Sequence, residues 1–176
     1  MGEDKTQLIV DGTTLAIRTA TLLRRVVETA VEVGPGTSGL PTTVENPPQG
    51  GPLAGIVAGV VWLRDHGHTG DALVIACDLP RLNEKLLRFL VEFDSPGSVV
   101  PVVGGRLQPL CAKWGHRDLD SASQFLATGV RSLRHLYDQP DVHFLEQSEW
   151  GHVAQEENFF DIDTPADLRQ FDISSE

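Results

Sequence analysis

Residues 71–80 read Asp71-Ala72-Leu73-Val74-Ile75-Ala76-Cys77-Asp78-Leu79-Pro80. The unbroken apolar run Ala72 to Ala76 has no polar alternation, which predicts a strand covered on both faces, of the parallel-sheet type. Asp78 follows at once and so belongs to the carboxyl end of a central strand, where ligands bind in open α/β sheets. A lone carboxylate there suits Mg2+ shared with substrate phosphates, because that ion takes one or two carboxylates and keeps several waters. An aspartate capping the turn before Pro80 fits the same residues.

Working back toward the start, Pro52 to Asp65 is apolar almost all round and predicts a buried helix with proline in its first turn. The loop Gln49-Gly50-Gly51 delivers it. Thr42 to Glu45 is a short extended piece stopped by Asn46-Pro47-Pro48, since a residue before proline is pushed away from the α region. Ala30 to Val33 reads as a strand, preceded by a helix that Thr13 or Thr14 caps and that runs to about Ala30. Going forward, Asn83 caps a helix around Leu86 to Phe93, and Ser98 to Val103 is a strand. Gly104-Gly105 turns into a further strand, Leu107 to Trp114, and Leu119 to Leu136 predicts a long amphipathic helix. Val142 to Leu145 is strand-like, and Thr164-Pro165-Ala166-Asp167-Leu168 opens a helix with a Thr cap and Pro at its first position. This alternation predicts one domain over residues 1–176, a three-layer α/β/α fold with a mostly parallel mixed sheet.

Composition excludes several classes. Of the formal charge of −11, Asp138 to Glu176 contributes −10, eleven acidic residues against Arg169, and residues 1–137 are nearly neutral. No basic stripe exists for a phosphate backbone, so nucleic acid is not an expected partner. The longest apolar run, Leu53 to Leu63, has 11 residues, short of the roughly 18 that span a bilayer. No membrane association is expected, and a cytoplasmic location is. Cys77 and Cys111 sit singly in apolar stretches and read as reduced core thiols.

Four further features bear on chemistry. Gly34-Pro35-Gly36-Thr37-Ser38-Gly39 fits G-x-G-x-x-G after a strand, but Leu40-Pro41 follows instead of a helix, so a flexible surface loop is expected rather than a dinucleotide site. Gly50-Gly51-Pro52-Leu53-Ala54-Gly55 does precede a helix; its glycines suit either close backbone approach to a ligand or close helix packing. Lys5, in a Gly-containing charged turn, could meet a phosphate or stay solvated. His66-Gly67-His68 lacks a third ligand for a metal, and no nucleophile elbow is present.

Five motifs, Met1-Gly2-x-Asp4-Lys5, Gly51-Pro52-Leu53-Ala54-Gly55-Ile56, Cys77-Asp78-x-Pro80, Gln108-Pro109-Leu110 and Asp161-Ile162-Asp163-Thr164-Pro165-x-Asp167-Leu168, occur in the order and spacing of the molybdenum cofactor guanylyltransferases. The sequence resembles that family along its whole length. The resemblance implies a Rossmann-like nucleotidyltransferase fold and Mg2+-dependent transfer of GMP from GTP to molybdopterin with release of pyrophosphate. It implies that Lys5 meets GTP phosphate and Asp78 binds Mg2+ and nucleotide as the two catalytic residues, and that Gly51, Pro52, Leu53 and Gly55 shape the nucleotide side. Asn46 stands where the family has a GTP-binding aspartate and keeps its carbonyl but not its charge. Gln108 and Asp163 match the pterin side. Molybdoenzymes and other molybdenum cofactor biosynthesis proteins are the further partners implied.

Relatives place a buried strand and a Leu-Ala-Gly-Gly-x-Ser-x-Arg loop ahead of Met-Gly-x-Asp-Lys, roughly 15 residues on typical element lengths. Their absence here leads to the expectation of an N-terminally truncated domain, with an in-frame upstream segment. Two other readings stay open: a related nucleotidyltransferase using CTP or another acceptor, and an inactive binding protein that lacks the phosphate loop.

Overall fold

The computed structural model describes residues 8–162. Lys5, Asp163 and the helix start at Thr164 lie outside them. A hairpin of β1 (Ile9–Val10) and β2 (Thr13–Thr14) leads into α1 (Leu15–Val26), which Thr14 caps by accepting from the Ile17 N–H at 3.3 Å. Then follow β3 (Glu32–Val33), β4 (Thr42–Thr43), α2 (Pro52–Asp65), β5 (Ala72–Ile75) and α3 (Glu84–Glu92). The remainder is β6 (Val99–Val103), β7 (Arg106–Leu107), β8 (Cys111–Trp114), α4 (His116–Ala127), α5 (Arg134–Tyr137), β9 (His143–Leu145), α6 (Gln147–Trp150) and a 3-10 turn at Glu156–Phe159.

The main sheet is mixed. β5, β6 and β9 share one direction, β8 runs against them between β5 and β6, and β7 folds back on β6. The described ladder of β5 is therefore antiparallel, although its sequence reads as parallel-type. An all-apolar strand reports helices on both faces and says nothing of its neighbour's direction.

Side-chain alternation divides the core into two layers. Leu73, Ile75, Val99, Cys111 and Leu145 face α1 and α3, where Leu86, Leu87 and Leu90 are wholly buried. Ala72, Val74, Val100, Ala112 and Trp114 face α2 and α4, against Leu53, Ile56, Val60 and Leu119. Each such leucine contributes about 1.5–3 kcal/mol by leaving water. That is the three-layer α/β/α arrangement.

Polar groups fasten the layers. Asp71, one residue before β5, accepts from the His116 N–H at 2.9 Å and so caps α4 from another element. At the start of β6 the Ser98 hydroxyl donates to the buried Asp118 carboxylate at 2.5 Å and accepts from the Gly115 N–H at 2.9 Å. Lys113, buried within β8, donates to the Phe93 carbonyl at the end of α3 at 2.6 Å, where the helix dipole favours a cation.

Two expected elements are divided. The helix expected to reach Leu136 stops at Ala127, because Gly129 adopts φ 91°, a left-handed conformation that terminates helices, and α5 starts afresh. The strand expected from Leu107 to Trp114 is broken by the turn at Gln108-Pro109-Leu110. The first helix ends at Val26 rather than near Ala30.

Candidate active site

Asp78 lies in the turn that follows β5, half-buried, with Cys77 beside it. Its carbonyl accepts from the Ile162 N–H at 3.0 Å. Ile162 is buried with Val10 and Leu15, against Leu8 and Phe160. The carboxyl end of β5, the chain following Leu8 and the Asp161-Ile162 segment thus converge, joining two of the expected motifs. Lys5 and Asp163 border these segments in sequence but lie outside the described residues.

Opposite Asp78, across a cavity of about 390 Å³, stands the amino end of α2, with Pro52 and Gly55 in the cavity wall. The approach to α2 is tightly built. The Asn46–Pro47 peptide is cis and Asn46 itself is exposed. The Gly50 N–H donates to the Pro47 carbonyl at 3.0 Å, and a Cβ on Gly50 would lie 2.6 Å from that of Ala54 and 2.7 Å from the Pro47 oxygen. Gly51 holds φ 80° as the residue before the helix, a conformation that favours glycine. No side chain caps this end, but Leu53 and Ala54 are wholly buried and outside the cavity lining, and the Gly55 N–H donates to the Gly51 carbonyl at 3.2 Å, so the start of α2 meets the cavity through Pro52 and Gly55 rather than through exposed N–H groups. Gly50 therefore serves close packing, whereas a Cβ on Gly55 would meet nothing within 4 Å.

Not every expected site residue reaches this cleft. Leu53 is fully buried under α4 and acts as a core residue. Gln108 is half-buried in the turn before β8, where its N–H donates to Pro101 at 2.9 Å and its carbonyl accepts from Cys111 at 3.0 Å. Asn46, Gly51 and Gln108 do not line the cavity, although Leu110 does. The contact between Ile162 and Asp78 was not expected; the apolar alternation Phe160, Ile162 was its one trace in the sequence.

The glycine-rich loop 34–39 differs from the flexible loop expected. The Glu32 carboxylate accepts from the N–H groups of Gly36 at 2.7 Å, Thr37 at 3.1 Å and Ser38 at 2.8 Å. Arg24 of α1 holds the far side by donating to the Gly39 carbonyl at 2.6 Å. Burial works to raise the pKa of Glu32, but the Ser38 hydroxyl and the three N–H groups together bring it below the usual carboxylate value. The donors a phosphate would use are occupied by the chain's own carboxylate, so this loop is not a nucleotide cradle.

A metal can be held here in one way. Among the described residues no three His, Cys, Asp or Glu side chains form a cluster able to bind a metal ion. A single half-buried carboxylate, Asp78, fits Mg2+ that completes its shell with water and substrate phosphate, and does not fit an all-protein metal cage. Cys111 is buried and its thiol is pushed up to about 12 by burial, so it is no ligand. Neither cysteine forms a disulfide; Cys111 is a core thiol as expected, whereas Cys77 is only partly buried. Among the described residues no helix is long and apolar enough to cross a membrane.

Comparison with known proteins decides the family. The sequence model of the MobA-like NTP transferase domain matches residues 1–151. The chain belongs to the MobA-like NTP transferase family. Within it, the chain is 29% identical over 175 residues to a probable molybdenum cofactor guanylyltransferase of Pelotomaculum thermopropionicum, covering 96% of this chain and 83% of that one. It is 31% identical over 129 residues to the molybdenum cofactor guanylyltransferase of Vibrio cholerae, covering 72% and 59%. The matched segment spans about half the length, 46%, of the Bacillus mycoides relative. Molybdopterin-guanine dinucleotide biosynthesis protein A from Archaeoglobus fulgidus superposes with a TM-score of 0.74 at 22% identity, over 99% of this chain and 92% of that one. The 2-C-methyl-D-erythritol 4-phosphate cytidylyltransferase of Thermus thermophilus superposes with a TM-score of 0.66 at 18% identity, over 97% and 93%. At these identities the superpositions establish the nucleotidyltransferase fold, and the family expected from the five motifs is the family found.

Proposed function

We propose that this MobA-like chain carries the transfer of GMP from GTP to the terminal phosphate of molybdopterin, releasing pyrophosphate. The carrying observation is the convergence of Asp78 at the end of β5 with the Asp161-Ile162 segment, opposite the amino end of α2. Both reactants are anionic and no nucleophilic side chain is required, so the work of the protein is alignment and charge neutralisation. Asp78 is the residue that would hold Mg2+, which when bound supplies Lewis-acid stabilisation of the phosphate oxygens. The positive end of the α2 dipole favours an anionic group beside the cavity. Lys5 is assigned to the charge of the leaving pyrophosphate. Asn46, Gly51, Pro52 and Gly55 are assigned to the nucleotide, the last two from the cavity wall. Gln108 and Asp163 are assigned to the pterin.

Equilibrium binding of GTP and CTP, each with and without Mg2+, tests the reading in a way that does not depend on turnover. GTP is expected to bind more tightly when Mg2+ is present, and Asp78→Asn is expected to abolish that increment. In single-turnover transfer the same variant is expected to lose about 10²–10³-fold in rate, the usual loss when one preorganised electrostatic contact is removed. An Mg2+ increment unchanged in Asp78→Asn would remove Asp78 from the metal site. Tighter binding of CTP than of GTP would move the chain to a cytidylyl-transferring branch.

A further inference from the structure

The turn that carries Asp78 is held from outside by the segment that ends at Ile162. Leu79 and Leu82 of the turn are buried in one cluster with Trp150, Ala154 and Phe159. Polar contacts pin the same turn at both ends. At its start the Asp78 carbonyl accepts from the Ile162 N–H at 3.0 Å, and further on the Arg81 carbonyl accepts from the Asn158 side-chain amide at 2.7 Å. The other end of that amide is also committed, because its oxygen accepts from the Gln155 N–H at 2.7 Å and so closes the 3-10 turn. A main-chain N–H can only donate and a carbonyl can only accept, so these two partners fix the orientation of the Asn158 amide between them. Asn83 answers in the opposite sense: its oxygen caps α3 and its nitrogen donates to the Val153 carbonyl at 3.5 Å. The Arg81 guanidinium also meets Glu157 at 2.9 Å, but the Glu157 side chain is 55% exposed, and such a pair adds little. The contacts between the two segments join residues 70 or more positions apart.

We propose that Asn158 is a positioning residue for the Asp78 carboxylate, a proposal that rests on the reading of Asp78 as the residue that would hold Mg2+. Asn158 does not line the cavity at Asp78 and acts through the main chain. Between Asp78 and Arg81 the turn has little freedom of its own: Pro80 has a fixed φ, and the Leu79 carbonyl accepts from the Leu82 N–H at 3.2 Å. A hold on the Arg81 carbonyl therefore sets the direction in which the Asp78 side chain leaves the end of β5. A single carboxylate that shares its metal with water and substrate has no further protein ligand to correct its aim, so the supports of its turn decide that aim. The same bracket runs directly into Asp161 and Ile162, at the start of the motif assigned to the acceptor. One amide thus holds the metal side and the acceptor side of the cleft at a common spacing. A neutral side chain suits the place, because it supplies donor and acceptor without adding to the charge of Glu156, Glu157 and Asp161 along this segment.

The test uses Asn158→Asp in the full 176-residue chain, which keeps the acceptor for Gln155 and removes the donor to Arg81. Amide hydrogen exchange without metal or nucleotide is read first. Ile162 is expected to exchange about tenfold faster than in the parent, while His143, whose N–H donates to the Ser98 carbonyl in the sheet, is unchanged. GTP binding with and without Mg2+ is read second. The Mg2+ increment is expected to fall by about three- to tenfold, the size of one neutral hydrogen bond, with metal-free binding unaltered. Glu157→Gln removes only the exposed ion pair and is expected to stay within about twofold of the parent in both measurements. Asn158→Ser, too short to reach Arg81, is expected to give the same two changes and serves if the aspartate variant does not fold. An Mg2+ increment kept in Asn158→Asp, whatever happens at Ile162, would overturn the positioning role. Equal losses in Glu157→Gln would overturn it in favour of the ion pair, and faster exchange at His143 as well would overturn it in favour of a general loss of stability. No Mg2+ increment in the parent, or one that survives Asp78→Asn, would remove the reading of Asp78 and this proposal with it. An increment lost in Asp78→Asn but kept in Asn158→Asp overturns the proposal alone.

Discussion

The loops 34–39 and 50–55 carry similar glycine-rich sequences and have opposite fates. In the first, three successive N–H groups converge on the Glu32 carboxylate, so their capacity to bind an anion is met within the chain. In the second, a cis proline turn and Gly51 hand the chain to α2, whose Pro52 and Gly55 line the cavity that Asp78 also lines. Glycine spacing alone does not distinguish them. What distinguishes them is where the nearest carboxylate sits and whether a helix follows.

Substitutions at matched positions in the two loops can break or sharpen this contrast. The largest effect is expected from Gly50→Ala, whose Cβ would press on the backbone oxygen of Pro47 and on Ala54. A loss of about 3 kcal/mol in urea unfolding is expected, at the upper end of overpacking costs, and a change below about 0.5 kcal/mol would show that the turn yields easily. Glu32→Ala comes next. It leaves three N–H groups without their acceptor and is expected to cost about 1–2 kcal/mol, moderated by the loop's access to water.

The pH dependence of that second loss has a defined sign. The folded pKa of Glu32 lies below its usual value, so its stabilisation is complete above the unfolded-state value, about 4.3. It is lost as the pH falls through the folded value. The stability difference between the parent chain and Glu32→Gln should therefore be level at neutral pH and shrink in acid. A difference independent of pH would mean that the carboxylate charge is not what holds the loop. The smallest effect is a gain: Gly55→Ala adds a methyl group to open space within a helix and is expected to stabilise by about 0.5–1 kcal/mol.

Much of this architecture can be read locally. Pro52 and the charged residues Arg64 and Asp65 bound α2, and the apolar run Ala72 to Ala76 announces the strand β5, although among the described residues β5 lies at the edge of its sheet and not at the centre expected of it. Asn83 does cap α3, its side chain accepting from the Leu86 N–H at 2.8 Å. Other features depend on pairings between distant residues that no local pattern encodes. The insertion of β8 between β5 and β6 is one, and the docking of Ile162 on Asp78 is another. Glu32 reads as an ordinary polar residue in a short strand, because the loop that it organises closes only in three dimensions. Leu53, within the Gly51 to Ile56 motif, is wholly buried in the core that α2 shares with α4.

The two cysteines lie on neighbouring strands' ends yet differ in chemistry. Cys111 is buried, its thiol pushed up to about 12, and is closed to alkylation in the folded chain. Cys77 is partly exposed in the turn next to Asp78. The native sequence thus supplies a site for one fluorescent or spin label at the mouth of the cleft without any engineered residue. A nucleotide would announce its arrival there as a change in signal.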